Sequence, residues 1–225
     1  MILTIESLLS AQDLANVDKV LARAVWADGA LSAAGHARKV KRNAELDAQK
    51  TPGARDLEAL VYRRLAGHPD VADRALPLKF SRPIISRYDP GMAYGEHVDN
   101  PLLGGTGATM RTDISATVFL ADPADYDGGE LVMTVEGEER TFRMPRGGAV
   151  VYGTGVSHRV APVTRGARVA AVVWMQSIVA DPGKREILSE FQRAHHLMVE
   201  KHPDSPETAL VLKAYYNLMR RWTQV

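Results

Sequence analysis

At 225 residues, with 45% apolar and 24% charged side chains, the chain is sized for one domain with appendages and is too rich in core-forming residues for a disordered or fibrous protein. Its 28 basic and 27 acidic residues leave a formal net charge of +1, which excludes a global field toward nucleic acid or anionic lipid. Cysteine is absent, so disulfides, thiolate metal sites and cysteine nucleophiles are excluded together, and any metal must take nitrogen and oxygen ligands.

The opening stretch "MILTIESLLSAQDL" lacks a basic n-region and a long apolar run, and no segment approaches 18 uninterrupted apolar residues. The expectation is a soluble cytoplasmic protein without nucleic-acid or membrane partners. Ser10 precedes "AQDLANVDKVLARAVW", where Leu14, Val17, Leu21 and Ala24 share one helical stripe and Asp13 stands near the N-terminal dipole. A second amphipathic helix is predicted in "ARDLEALVYRRLAG", with Leu57, Leu60, Val61 and Leu65 at helical spacing and Gly67 as its stop. Between them, from Trp26 to Lys50, the sequence is polar and ambiguous, and its basic run Arg38, Lys39, Lys41 and Arg42 reads as a solvated face.

From Leu76 to about Ser177 the grammar changes to short β-branched and aromatic runs such as "DISATVFLAD", "GGELVMTV", "GAVVYG" and "RVAAVVWMQS", separated by Gly, Pro and Asp. Frequent turn signals predict an antiparallel sandwich or barrel, and not βαβ units. Asp127-Gly128-Gly129 and Glu136-Gly137-Glu138 read as turns. After Ser177, Asp181-Pro182 and Ser205-Pro206 each read as N-cap and first residue of a helix, giving a helical hairpin packed on the sheet or on a second copy of the chain. The expected class is α+β with a mainly β core, divided as an N-terminal helical region 1–75, a β core 76–178 and a helical extension 179–225. Homo-oligomerisation through those last helices is an expectation.

"YGEHVDNPLL" places His97 and Asp99 two apart, so that on an extended strand both would project to one side and share a metal ion. A third ligand must come from another strand, and "VVYGTGVSHRV" offers His158, whereas His36, His68, His195, His196 and His202 fall in helices or loops outside the β region. Two histidines and one carboxylate form a facial triad with open positions, the arrangement of non-haem Fe(II) oxygenases. Zinc could use the same ligands, but a structural zinc site would be closed by a fourth protein ligand. Arg168 opens an apolar strand ten residues beyond His158, where its guanidinium calls for an anionic partner and is shaped for a carboxylate.

The order His97-x-Asp99, His158, Arg168 on a β core flanked by helices resembles the Fe(II)/2-oxoglutarate-dependent oxygenases. "RYDPGMAYGEHVDN" with "FLADPADYDGGEL" resembles the prolyl-hydroxylase-like branch, and nearly the whole chain is similar to the bacterial PKHD-type hydroxylases. The resemblance implies a double-stranded β-helix (jelly-roll) core with His97, Asp99 and His158 as iron ligands. It makes Arg168 the partner of the distal carboxylate of 2-oxoglutarate, and puts Tyr88 near that co-substrate. Thr117 and Phe119 lie where some relatives place a polar contact, and Phe119 departs by having no hydroxyl. The implied activity is hydroxylation of a small-molecule or peptidyl substrate with O2, releasing succinate and CO2. L-Ascorbate is the implied reductant and iron uptake or siderophore metabolism the implied setting. A non-catalytic iron or 2-oxoglutarate sensor and a zinc-dependent hydrolase or cupin-like enzyme are the alternatives. "NPLLGGTGAT", residues 100–109, reads as a lid over the site or a plain connection.

Overall fold

Ser10 caps the first helix, Ala11–Leu21, through a reciprocal box. Its hydroxyl accepts from the Asp13 N–H, and the Asp13 carboxylate accepts from the Ser10 N–H at 2.8 Å. The helix stops at Leu21, short of the predicted Ala24, because the chain turns there to let the Val25 N–H bond the Thr51 hydroxyl at 2.9 Å. The helix Ala54–Ala66 packs beside it and ends at Gly67 as expected. The structure is a computed structural model that describes residues 1–32, 35–105 and 109–224.

Arg64 of the second helix grips the buried Asp13 with two nitrogens, at 2.9 and 3.0 Å, and that guanidinium holds the carboxyl down at about 2. A depressed carboxyl contributes stability above its unfolded value of about 3.9 and loses it as the pH falls through the folded value. Asp13→Asn should therefore cost about 1–2 kcal/mol near neutrality, with Arg64 half exposed and partly screened, and progressively less from pH 4 towards pH 2. Urea unfolding of both proteins across that range checks it; a cost that does not shrink in acid contradicts the linkage.

Two antiparallel sheets form the core. The larger runs in spatial order Ile2–Ile5, Ala149–Gly153, Ile114–Phe119, Arg168–Ser177, Ile84–Tyr88, Ala44–Leu46, Trp26–Asp28, with Pro77–Phe80 also paired to Arg168–Ser177. The smaller runs Glu138–Phe142, Leu131–Val135, Ser157–Val160, Ala93–His97, Lys41–Arg42. Strand alternation divides the large sheet's side chains. Ile114, Ala116, Val118, Ala171 and Val173 pack under the N-terminal helices, while Phe119, Val150 and Tyr152 face Leu131 and Met133 inside the sandwich. Glu136-Gly137 is the two-residue hairpin turn its sequence announces, both residues at positive φ between the paired Val135 and Glu138.

The segment that the sequence leaves ambiguous builds short pieces: strand Trp26–Asp28, helix Gly35–Val40, then Lys41–Arg42 and Ala44–Leu46. Within residues 41–46 the chain joins both sheets, Lys41 opposite Tyr94 in the small one and Glu45 opposite Ser86 in the large one. Asp181 and Ser205 cap the helices Pro182–Lys201 and Pro206–Trp222. Leu188 of the first, with Tyr215, Leu218 and Trp222 of the second, closes over Leu76 and Val179. Among the described residues no helix is long and apolar enough to cross a membrane.

Candidate metal and co-substrate centre

His97 is the last residue of the strand Ala93–His97, and Asp99 lies just past the strand end, not on it as alternation along a strand would require. The two still converge because the strand Ser157–Val160 sets His158 opposite His97 in register. Asp99 Oδ1 stands 3.9 Å from His97 Nε2 and 3.8 Å from His158 Nε2, and one ligand atom of each residue lies within 4.8 Å of the others. Among the described residues this is the one group of three or more His, Asp or Glu residues so placed. His68, His195, His196 and His202 sit on or beside helices, and the His36 side chain lies outside the described residues.

Each imidazole is held by its second nitrogen. Nδ1 of His97 donates to the Gly95 carbonyl at 2.8 Å and Nδ1 of His158 to the Val156 carbonyl at 2.9 Å, since a carbonyl can only accept. This fixes both Nε2 atoms as lone-pair donors turned to one point, the arrangement a metal requires. Burial, then the neighbouring His158, pushes His97 down to about 4, so the ring is neutral at physiological pH. Tyr94 stacks on His97 with centroids 3.6 Å apart and Tyr152 meets His158 edge-on at 5.2 Å.

Ser115 completes the triad's support by donating to Asp99 Oδ2 at 2.6 Å, which leaves Oδ1 turned to the histidines. Sequence reading passes it over, because it sits in Ile114–Phe119, where every residue is buried and alternation carries no signal. Ser115→Ala should weaken Fe(II) binding about 10- to 100-fold with the fold retained. Anaerobic competition against a chelator of known affinity measures it; unchanged affinity would remove Ser115 from the site.

The triad opens onto a cavity of about 450 Å³ that also reaches Arg168, Tyr88, Thr117, Tyr152 and Trp174. Arg168 is 2% exposed, its guanidinium 5.3 Å from the Tyr88 ring and 5.4 Å from the Phe119 ring. Its Nε and Nη2 have no hydrogen-bond partner among the described residues. A buried guanidinium with open donors is costly unless an anion meets it, and its planar fork suits a carboxylate. Burial pushes the Tyr88 phenol up to about 12, so it stays a protonated donor. Thr117 and Tyr152 both face the cavity, whereas Phe119 offers Arg168 only its ring.

Asp127-Gly128-Gly129 does more than turn the chain: Asp127–Gly128 pairs with Val163–Arg165, and Gly129, at φ +67°, backs onto the arginine. A Cβ there would stand 3.0 Å from Arg168 Cδ and from Val163 Cγ2, so the missing side chain is room for Arg168. Of the suggested lid, residues 106–108 lie outside the described residues, and the flanking Leu102–Leu103 pairs with Met110–Arg111.

Comparison with known proteins agrees with this geometry. A profile of the 2OG-Fe(II) oxygenase superfamily matches residues 83–176, which span Tyr88 to Arg168 and include the triad. A PKHD-type hydroxylase of Thioalkalivibrio sulfidiphilus is 43% identical over 225 residues, covering 100% of both chains. One of Klebsiella pneumoniae is 39% identical over 222 residues, 98% of this chain and 99% of its own. Among solved structures, a prolyl-4-hydroxylase of Pseudomonas putida superposes with a TM-score of 0.53 at 20% identity, over 78% of this chain and 92% of that one. A prolyl hydroxylase of Trichoplax adhaerens, in complex with a hypoxia-inducible-factor peptide fragment, gives 0.57 at 16% identity over 84% and 86%. The sheets and flanking helices are those of the oxygenase jelly roll, and the chain belongs to the PKHD-type hydroxylases of the 2OG-Fe(II) oxygenase superfamily.

Proposed function

We propose that the chain is an Fe(II)- and 2-oxoglutarate-dependent hydroxylase, with His97 Nε2, Asp99 Oδ1 and His158 Nε2 holding the iron and Arg168 and Tyr88 holding the co-substrate. The observation that carries this is Arg168: a buried guanidinium with open donors, facing the cavity into which the triad opens. His97, Asp99 and His158 would hold a metal with two nitrogens and one oxygen, a donor set that suits a non-haem Fe(II) centre using a 2-oxo acid and O2. Iron and 2-oxoglutarate held there would supply the oxidising power for hydroxylation, with succinate and CO2 as the co-products.

The chain's own part is placement. Arg168 would take the far carboxylate as an ion pair in a buried pocket, with the neutral Tyr88 phenol as a further donor. The Gly95 and Val156 carbonyls and the Ser115 hydroxyl keep the three ligands turned to one point before any ion arrives. Ascorbate as reductant of iron oxidised off cycle, and a role in iron uptake, rest on the family resemblance and belong to the same proposal.

Anaerobic addition of 2-oxoglutarate to the Fe(II)-loaded protein should give the weak visible band of a chelated ferrous site, and air should then yield succinate. A band without succinate would favour the sensor, and zinc found after anaerobic purification, with no band, the hydrolase. Either would overturn the hydroxylase.

A further inference from the structure

Arg168 is aimed without hydrogen bonds to its Nε and Nη2, which have no partner among the described residues. The direction of the guanidinium is therefore left to what packs on the side chain. The rings of Tyr88 and Phe119 stand on strands of the large sheet and are fixed by its ladders. Gly129 is different. It lies in the connection 120–130, which carries the chain from Ile114–Phe119 in the large sheet to Leu131–Val135 in the small one. The strand pairing of that connection is the short, irregular one of Asp127–Gly128 with Val163–Arg165.

Arg143, the residue after the strand Glu138–Phe142, spans this connection with its side chain. Its Nη2 donates to the Pro123 carbonyl at 2.5 Å and to the Tyr126 carbonyl. Its Nη1 donates to the Glu130 carboxylate at 3.1 Å and to the Gly128 carbonyl at 3.4 Å. The same guanidinium stands 4.5 Å from the Tyr126 ring, which is buried to 1% exposure. That ring shares Gly129 with Arg168: a Cβ on Gly129 would lie 3.3 Å from Tyr126 Cε2 and 3.0 Å from Arg168 Cδ. Arg165 also grips the connection, through Asp127 at 2.6 Å, but both of those side chains are more than half exposed and water screens the pair. Arg143 is partly buried, and its planar fork bonds residues 123, 126, 128 and 130 together, which a single ammonium on a flexible stem cannot do.

We propose that Arg143 is a positioning residue for the co-substrate: by bracing the connection behind Gly129 and Tyr126, it presents Arg168 to the distal carboxylate of 2-oxoglutarate. This rests on the hydroxylase reading, and it adds a residue that does not line the cavity yet sets how tightly the co-substrate is held.

The test compares 2-oxoglutarate with 2-oxopentanoate, which has the same 2-oxo carboxylate and no distal carboxylate. Both are titrated calorimetrically into the full-length, Fe(II)-loaded protein under anaerobic conditions. Arg143→Met should lower the preference for 2-oxoglutarate about tenfold, with the affinities for 2-oxopentanoate and Fe(II) unchanged. Arg143→Lys, which keeps the charge and loses the fork, should lose about threefold and serves alone if the Met variant does not fold. Hydrogen exchange should quicken across residues 122–130 in both variants, and stay as it was in Ala93–His97 and Ser157–Val160.

A folded variant that keeps its preference would make Arg143 a stabilising residue only and overturn the inference. An equal loss for the two acids, or a lost preference with exchange across 122–130 unchanged, would overturn it as well, since the effect would not then run through the connection to Arg168. The unsubstituted protein separates the two readings. If it binds both acids alike, Arg168 does not meet the distal carboxylate, and the hydroxylase reading loses its co-substrate site and this inference with it. If it prefers 2-oxoglutarate and the folded variants do too, the inference about Arg143 alone fails.

Discussion

Replacing Arg168 with Met should weaken 2-oxoglutarate binding by about 2–5 kcal/mol while leaving the ligand-free protein as stable as before or more so. The two halves have opposite origins. Without ligand, the guanidinium is buried to 2% exposure with Nε and Nη2 unpaired, and its main consolation is the aromatic faces of Tyr88 and Phe119. An unbranched apolar side chain fills the same slot beside Gly129 without that desolvation cost. With ligand, the charge-assisted contact to a carboxylate disappears and nothing near Phe119 replaces it. Fe(II) affinity should hold, because the triad is separate from Arg168. Calorimetric titration with 2-oxoglutarate and thermal unfolding of the apo-protein read the two halves independently. Equal 2-oxoglutarate affinity in the variant would remove Arg168 from the co-substrate site, and a large loss of apo stability would make it a structural residue.

His158→Ala should reduce iron retention and 2-oxoglutarate turnover to background, a larger effect than that expected for Ser115→Ala. Two ligand atoms would remain, Nε2 of His97 and Oδ1 of Asp99, which supply one edge of a coordination polyhedron and not a face. The fold should survive, since His158 contributes a hydrogen bond to the Val156 carbonyl and ring contacts with His97 and Tyr152, while the strand Ser157–Val160 keeps its ladders to both neighbours. Metal content after anaerobic loading and succinate release in air give the answer. Retained iron with full turnover would show that the metal sits elsewhere.

Much of the candidate site is legible in the sequence alone, because its residues are rare types standing where a β core has little use for them. His97, Asp99, His158 and Arg168 interrupt apolar or turn-rich runs, and their order along the chain narrows the chemistry even though the spacing of His97 and Asp99 is explained by a strand end and not by alternation. Ser115, Tyr152 and Trp174 escape notice for the opposite reason. They lie on strands covered on one side by helices and on the other by the small sheet, so a residue facing the cavity looks in sequence like a residue facing the core. Residues 26–50 stay unreadable because strands of two or three residues are shorter than the window in which any periodicity can register. Gly129 is legible as a turn glycine, and the arginine it makes room for comes from a strand nearly 40 residues later.

The crossing of residues 41–46 from the small sheet to the large one has a consequence for how such enzymes diversify. Pairing Lys41 with Tyr94 and, four residues on, Glu45 with Ser86 makes this stretch a gauge block between the two sheets, its length setting how far apart they stand at the mouth of the site. A one-residue insertion there would invert the pleat of whichever strand absorbed it and turn Lys41 or Glu45 from the cavity to the outside. A change of two would keep the facing and widen the mouth. Relatives that share the iron triad but differ in length across this stretch are therefore expected to accept substrates of different girth, with the metal chemistry untouched.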